Sequence, residues 1–538
     1  MASNVFYRII LCSGVIFCSA TLVAAQDSCA YRQDIAYVRQ SEAWLHSENA
    51  SGLQHVAASN ISSAGIYFVK NNGEYVNYHQ SDNSYEMGAL TESFFRINPR
   101  IVFYGKVHYS NFTGQNMGGS TFINPYYNAF DIVEFSDTTR GAKNLERYHL
   151  VGAVSARLVK GLSLGGKLDY TAANYAKYKD LRHTNTFFDL TATAGLSYRI
   201  GSVAEVGAGY YYRRSIEGIT FAVYGNTDRQ YTSLINFGMF YGRTELFSTS
   251  ASVGYTNSSG MLPVVNTFNG WSVQANLKPA KHWSFFNEFA YKTRKGYYGT
   301  RSTTSPVYVE HEGTYRTYTG ALSFKKRHTL QLHVEREQLD NFENIFEQSN
   351  SATGGRHEIV YYGNNKVLDR KTRRLRAAYT AQLGAAGGYP AWTLHAAGGS
   401  LLRQQTVSLY PFYRMQEVRY YEGALLAGRN IARRRSIYSL TLGVSYGSGR
   451  GTEKYDGTYV AVPESQRPPK SSDANLKREY EYLTAAHVGG NVGLQYAFPL
   501  RYAKHGYVRA DGALTGVPDG YFKSQQYATA TLTVGCNF

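Results

Sequence analysis

From Gln526 to the end of the chain, one parity reads Ala528, Ala530, Leu532, Val534, Cys536 and Phe538. The other reads Tyr527, Thr529, Thr531, Thr533, Gly535 and Asn537. Side chains alternate across a strand, so this stretch predicts a strand with one apolar and one polar face. The pattern recurs. Phe247, Thr249, Ala251, Val253 and Tyr255 alternate with Ser248, Ser250, Ser252 and Gly254, and Leu330, Leu332 and Val334 with Gln331, His333 and Glu335. Tyr438, Leu440, Leu442, Val444 and Tyr446 alternate with Ser439, Thr441, Gly443 and Ser445. Leu375, Ala377, Tyr379, Ala381 and Leu383 alternate with Arg374, Arg376, Thr380 and Gln382. Such runs match the about 9–11 residues of a transmembrane β crossing. Val534, Leu532, Leu442, Leu440, Val253, Val273 and Leu332 are expected to meet lipid. Thr533, Thr441, Ser250, Gln274 and Gln331 are expected to face a lumen.

Short links join many strands: Asn98-Pro99-Arg100, Lys160-Gly161, Ile200-Gly201-Ser202, Lys278-Pro279-Ala280-Lys281 and Lys325-Lys326-Arg327. Long polar links over 114–144, 293–311, 340–368 and 448–475 alternate with them. Short turns at one end and long loops at the other are the habit of outer-membrane barrels. Trp271 and Trp283, each on an apolar parity, would mark the two edges of the apolar band. The fold expected is all-β: a single closed antiparallel transmembrane barrel of about 16–20 strands, the first near residues 65–78. Its last strand ends at Phe538 and pairs with the first.

Composition narrows the class. The chain of 538 residues has 48 Tyr, 52 Gly and 27 Phe, unlike the Leu-, Ala- and Glu-rich habit of α/β enzymes. After the N-terminus no run of about 18 apolar residues appears, which excludes a helical membrane protein. Recurrent aromatic and β-branched residues exclude disorder. Arg8, the apolar run to Val23 and the small Ala24-Ala25 junction read as a signal peptide over 1–25. Cys29 and Cys536 then remain, which is neither a disulfide scaffold nor a four-thiolate metal site, although one Cys29–Cys536 bridge is conceivable. Residues 26–63 break the period and are read as a periplasmic or lumen-plugging segment. The barrel occupies 64–538.

Two resemblances attach to particular residues. Asn49-Ala50-Ser51-Gly52-Leu53 resembles, over five residues, the stretch near the start of long-chain fatty-acid transport barrels. Trp44 with that segment, the Ala25-Gln26 junction, the Asn98-Pro99 turn, the Gly105–Asn111 run (Gly105-Lys106-Val107-His108-Tyr109-Ser110-Asn111) and the terminal Phe538 resemble an uncharacterised outer-membrane β-barrel family of Bacteroidota. This resemblance implies the architecture and the cell outer membrane. It implies no catalytic residues and no substrate.

The search for chemistry excludes more than it finds. Gly447-Ser448-Gly449-Arg450-Gly451 follows a strand but opens no helix, so it reads as a loop rather than a phosphate cradle. No His-Glu-x-x-His or Cys-x-x-Cys motif anchors a metal, and no catalytic residue, cofactor or enzyme activity is expected. The charge is +17, or +16 once Arg8 leaves with the signal peptide. Basic runs fall at Arg370, Lys371, Arg373, Arg374 and Arg376, and at Arg429, Arg433, Arg434 and Arg435. In a barrel they suit lipopolysaccharide phosphates, or an anion-favouring pore, better than nucleic acid. The bland alternative is solvated strand ends that aid assembly.

Tyr104, Lys106, His108, Tyr211, Arg213, Arg374 and Arg376 share polar parities and are the lumen candidates. Phe538 is the expected signal to the barrel-assembly machinery. The function expected is a channel or transporter for small polar or anionic solutes. The alternatives are a non-conducting structural or interaction subunit of an envelope assembly and, less favoured, a barrel for hydrophobic substrates like the fatty-acid transporters. A 22-stranded transporter with a globular plug would not fit comfortably in this length.

Overall fold

The computed structural model describes residues 35–40, 42–56, 60–135, 139–225, 229–249, 253–257, 260–302, 305–349, 358–386, 388–501 and 503–538. The expected leader and Cys29, and with it the Cys29–Cys536 bridge, lie outside these residues.

In chain order, α1 (Ile35–Gln40) and two 3-10 turns (Ala43–His46, Ala50–His55) precede β1 (Asn60–Gly73), β2 (Asn83–Asn98), β3 (Ile101–Met117), β4 (Asp131–Glu134) and β5 (Gly141–Val159). Then come β6 (Leu162–Lys177), β7 (Arg182–Ile200), β8 (Ala204–Ala222), β9 (Thr232–Asn236), β10 (Tyr241–Leu246) and β11 (Leu262–Leu277). β12 (Trp283–Gly299), β13 (Val307–Phe324), β14 (His328–Ser349), β15 (Glu358–Leu383) and β16 (Trp392–Leu409) follow. The chain ends with β17 (Phe412–Arg433), β18 (Ser436–Thr458), β19 (Lys470–Ser471), α2 (Asp473–Thr484), β20 (His487–Phe498), β21 (His505–Gly516) and β22 (Gln526–Asn537).

Eighteen of these strands form one antiparallel sheet, and β22 pairs back onto β1, with Ile66 opposite Val534 and Tyr67 opposite Thr533. The sheet therefore has no free edge, which is what backbone in hydrocarbon requires. Leu532, Val534, Leu440, Leu442, Val273 and Leu332 are all exposed on the outer face, whereas Gln274 on the opposite parity is buried. Among the described residues no helix is long and apolar enough to cross a membrane. An exposed apolar band around a closed barrel places the chain in the cell outer membrane.

Several expectations need correction. Of the alternation over residues 247–255, the described residues 247–249 and 253–255 are not strand: Phe247 and Val253 pack on a buried cluster inside the barrel, so Val253 does not meet lipid. Ser250 lies outside the described residues. The strands run further than read. β12 reaches Gly299, β14 Ser349 and β18 Thr458, because above the membrane the outer face of a strand meets water while the inner face of β12 packs on buried aromatic residues, so the apolar-out alternation is lost. Residues 447–451 therefore lie within β18 and not in a loop; Gly451 has φ +154°, near a register shift against β17. Trp271 sits within β11, and Trp283 is the first residue of β12.

The loops between barrel strands carry a second, four-stranded sheet in the order β19-β10-β9-β4. Leu234, Ile235, Ile132 and Val133 are fully buried in it. They join one core with Tyr298 and Val309 of the barrel wall and with Phe130, Phe237, Phe240 and Tyr255. This dome packs against the inner wall from β8 to β16 at the long-loop end. α2 leans on the same region, where Arg403 donates to Glu479 at 3.0 Å.

Candidate functional site

The opposite end of the lumen is occupied by residues 42–56 and α1. Trp44 is 1% exposed; it stacks on His55 at 5.6 Å and meets Phe286 edge-on at 5.2 Å. Asn49 Nδ2 faces the Leu196 carbonyl (2.9 Å), the Ala208 carbonyl (3.2 Å) and Gln274 Oε1 (2.9 Å). Gln54 donates to the carbonyls of Arg100 and Ser155, and Arg96 to those of Gln54 and Val56. Ion pairs extend the ring of contacts, Arg39–Glu92, Lys326–Glu42 and Lys292–Glu48 at 2.5 Å, and His55 Nε2 faces Glu205 Oε1 at 3.0 Å. Gln382 and Asn430 complete it with Gln40 and Tyr37.

The wall is shaped for this segment. A Cβ on Gly165 would lie 2.1 Å from the Ser51 nitrogen, and one on Gly207 2.9 Å from the Trp44 ring. Glycine at 165 admits the backbone of Ala50 and Ser51, and glycine at 207 leaves room for the Trp44 indole. The five-residue resemblance at Asn49–Leu53 thus falls on the part of the segment seated most closely on the wall.

Between this floor and the dome lies a cavity of about 310 Å³. Arg147, His108, His149, Thr171, Phe187, Arg213, Ser215, Glu217 and Asn266 of the wall line it, with Ile123, Asn124, Tyr127 and Asn128 from the loop before β4. Its charges are unevenly satisfied. Arg213 is held bidentately by Asp189 (2.8 and 2.5 Å), between the Tyr127 and Phe268 rings. Glu217 accepts from the Ile123 amide and Asn185. His149 Nε2 faces Asp169 at 2.9 Å, and His108 Nε2 faces the Tyr67 hydroxyl at 2.8 Å. Arg147 has no hydrogen-bonding or ionic side-chain partner among the described residues.

The lumen candidates fall into separate places. His108 and Arg213 meet in this cavity. Tyr104 is at the floor, donating to Glu92 at 2.8 Å, and Lys106 lies between it and His108 on the same parity. The Tyr211 ring lies 3.9 Å from Lys292 Nζ, which holds Glu48 of the floor. Arg374 pairs with Glu335, across the barrel from the cavity. Arg376 lines a second cavity, of about 480 Å³, with Tyr75, Tyr420, Glu422, Tyr482, His487 and Tyr527. Arg147 was missed by sequence reasoning, although its parity with His149 and Ala153 carried the signal.

Groups outside the membrane strands are strongly perturbed. Burial pushes the Asp131 carboxyl in the dome up to about 7, against hydrogen bonds from Ser120 and Tyr78. Burial, with Lys143 nearby, pushes His79 down to about 4. Among the described residues no cluster of His, Cys, Asp and Glu is suited to a metal.

Comparison with solved structures gives only distant likeness. The ferric citrate transporter FecA in its unliganded form aligns over 89% of this chain and 79% of its own, at 9% identity and TM-score 0.39. The ferric preacinetobactin receptor BauA of Acinetobacter baumannii aligns over 89% and 79%, at 8% identity and 0.38. The RagAB peptide importer aligns over 89% and 75%, at 11% identity and 0.34. No curated protein matches the chain significantly. A family model does match, over residues 50–538, which spans the whole barrel and the seated Ala50–His55 turn. The chain therefore belongs to the family of unknown function DUF6850.

Proposed function

We propose that the protein is a gated outer-membrane pore for small polar or anionic solutes, held shut at its periplasmic end by residues 35–56. The observation that carries this reading is the cavity above the floor. It combines an unpaired Arg147, two imidazoles and the fixed Arg213 in a volume suited to a small solute. Such a lining disfavours a long apolar substrate, because an unpaired guanidinium would have to be desolvated against hydrocarbon.

Removing residues 35–56 breaks the floor, whose bonds reach from β2 round to β17. Lys106, Arg147 and Arg376, which no carboxylate pairs among the described residues, then bias the passage toward anions. The barrel-assembly machinery reads the C-terminal Phe538 during insertion.

Solute flux into proteoliposomes tests the reading. The variant lacking 35–56 should admit small carboxylates faster than amines of equal size, and Arg147→Gln in that background should narrow the difference. Equal rates for both would overturn the anion preference. No flux at all would favour the non-conducting envelope subunit.

A further inference from the structure

On the outer face, Arg316, Arg336 and Arg373 stand directly opposite one another on β13, β14 and β15. All three are exposed. Like charges directly opposite in a ladder repel, and neighbouring strands are only about 4.8 Å apart. No carboxylate answers them among the described residues. Glu335 is committed to Arg374, Glu337 to Arg370, and Asp340 and Asp369 to Lys366. One ladder step toward the long loops stand Thr314, Gln338 and Lys371, and one step toward the short turns Tyr318, Val334 and Leu375.

The height of the row is as informative as its charge. Arg336 is eight residues from the His328 end of β14, Arg316 eight from Phe324, and Arg373 ten from Leu383. A crossing takes about 9–11 residues, so the row lies at the upper margin of the apolar band. The same ladder row continues through Tyr291, Trp271 and Tyr210. Aromatic rings of this kind sit at headgroup level, and the Arg316 guanidinium lies 5.9 Å from the Tyr291 ring.

We infer that Arg316, Arg336 and Arg373 form a binding site for the phosphorylated headgroup of an outer-leaflet lipid. The planar guanidinium fork matches phosphate bidentately, and an anion shared by three arginines removes their mutual repulsion. The acyl chains of such a lipid would lie along Val334, Leu375 and Leu332 below. The other basic run does not serve this purpose: Arg433, Arg434 and Arg435 surround the β17–β18 turn, at the opposite rim.

The test uses the full chain in detergent micelles, with bisphosphorylated lipid A as probe and native mass spectrometry as readout. Phosphatidylcholine, a phosphate-free lipid A analogue and inorganic phosphate are the comparisons. Wild type should retain lipid A in preference to all three. Arg316→Gln with Arg336→Gln and Arg373→Gln should weaken retention about tenfold or more, whereas the lysine triple should lose only part, since it keeps charge without the fork. Replacing Arg433, Arg434 and Arg435 with Gln should change nothing. Should the glutamine triple fail to fold, Arg336→Gln alone, at the centre of the row, must still weaken retention. Equal retention by variant and wild type, or equal retention of the phosphate-free analogue, overturns the inference. Inorganic phosphate competing as well as lipid A overturns the lipid assignment.

Discussion

Asn49 lies in a notch that exists because residue 195 is glycine: a Cβ there would stand 2.3 Å from Asn49 Oδ1. The amide and the missing side chain are two halves of one seat. β7 and β8 supply the acceptors for Asn49 Nδ2, and Gly195 the room. Gly195→Val should therefore unseat residues 42–56 without disturbing the outer face of β7. Limited proteolysis of the N-terminal segment should become faster in the variant, and an unchanged cleavage rate would contradict the seating.

Asn49→Ala approaches the same seat from the other side. It leaves buried Gln274 without one of its donors and costs about 1–3 kcal/mol of floor stability, roughly a 5- to 150-fold shift toward the unseated state. Amide exchange of residues 50–55 reports that shift directly. Exchange no faster than in wild type would remove Asn49 from the closure.

The register of the wall predicts opposite outcomes for adjacent positions. Leu442 is exposed on the outer face and Thr441 lies on the inner parity. Leu442→Arg should destabilise the barrel by about 2–4 kcal/mol near the membrane midplane, and Thr441→Arg should cost much less. Reversible unfolding in lipid vesicles measures both. Equal losses would mean the register is shifted by one residue.

The dome should respond to pH through two groups. Folded Asp131 keeps its proton up to about pH 7, whereas the unfolded carboxyl ionises near its ordinary value of 3.8. Its burial therefore costs stability that grows as pH rises from about 4 to 7 and is constant above. His79 acts in the other direction: folded it stays neutral down to about pH 4, so stability is lost as pH falls from 6.5 toward 4. Asp131→Asn should gain on wild type between pH 4 and 7, and His79→Gln should gain below 6.5. Amide exchange of β9 across that range checks both signs.

What could be read from the sequence follows from where water and lipid lie. Leu532, Leu440 and Leu332 alternate with polar residues because one face of each strand meets hydrocarbon and the other a wet lumen, and that contrast survives without coordinates. β9 was illegible because Leu234 and Ile235 are adjacent and both fully buried, so the alternation vanishes. Residues 247–255 misled for the converse reason: Phe247, Val253 and Tyr255 do share an environment, but it is the aromatic core of the dome. Arg213 and His108 were found by parity alone. Their separation from Arg374 and Arg376 across the barrel depends on closure, which no local pattern encodes.

The central claim is that residues 35–56 close a lumen able to conduct. Planar-bilayer recording of the full chain beside the variant lacking 35–56 tests it most directly. The account predicts a silent full chain and a variant with stable, anion-selective conductance, its reversal potential in a salt gradient moving toward zero in Arg147→Gln and Arg376→Gln. A shortened variant that inserts as a folded barrel and passes no current would contradict it.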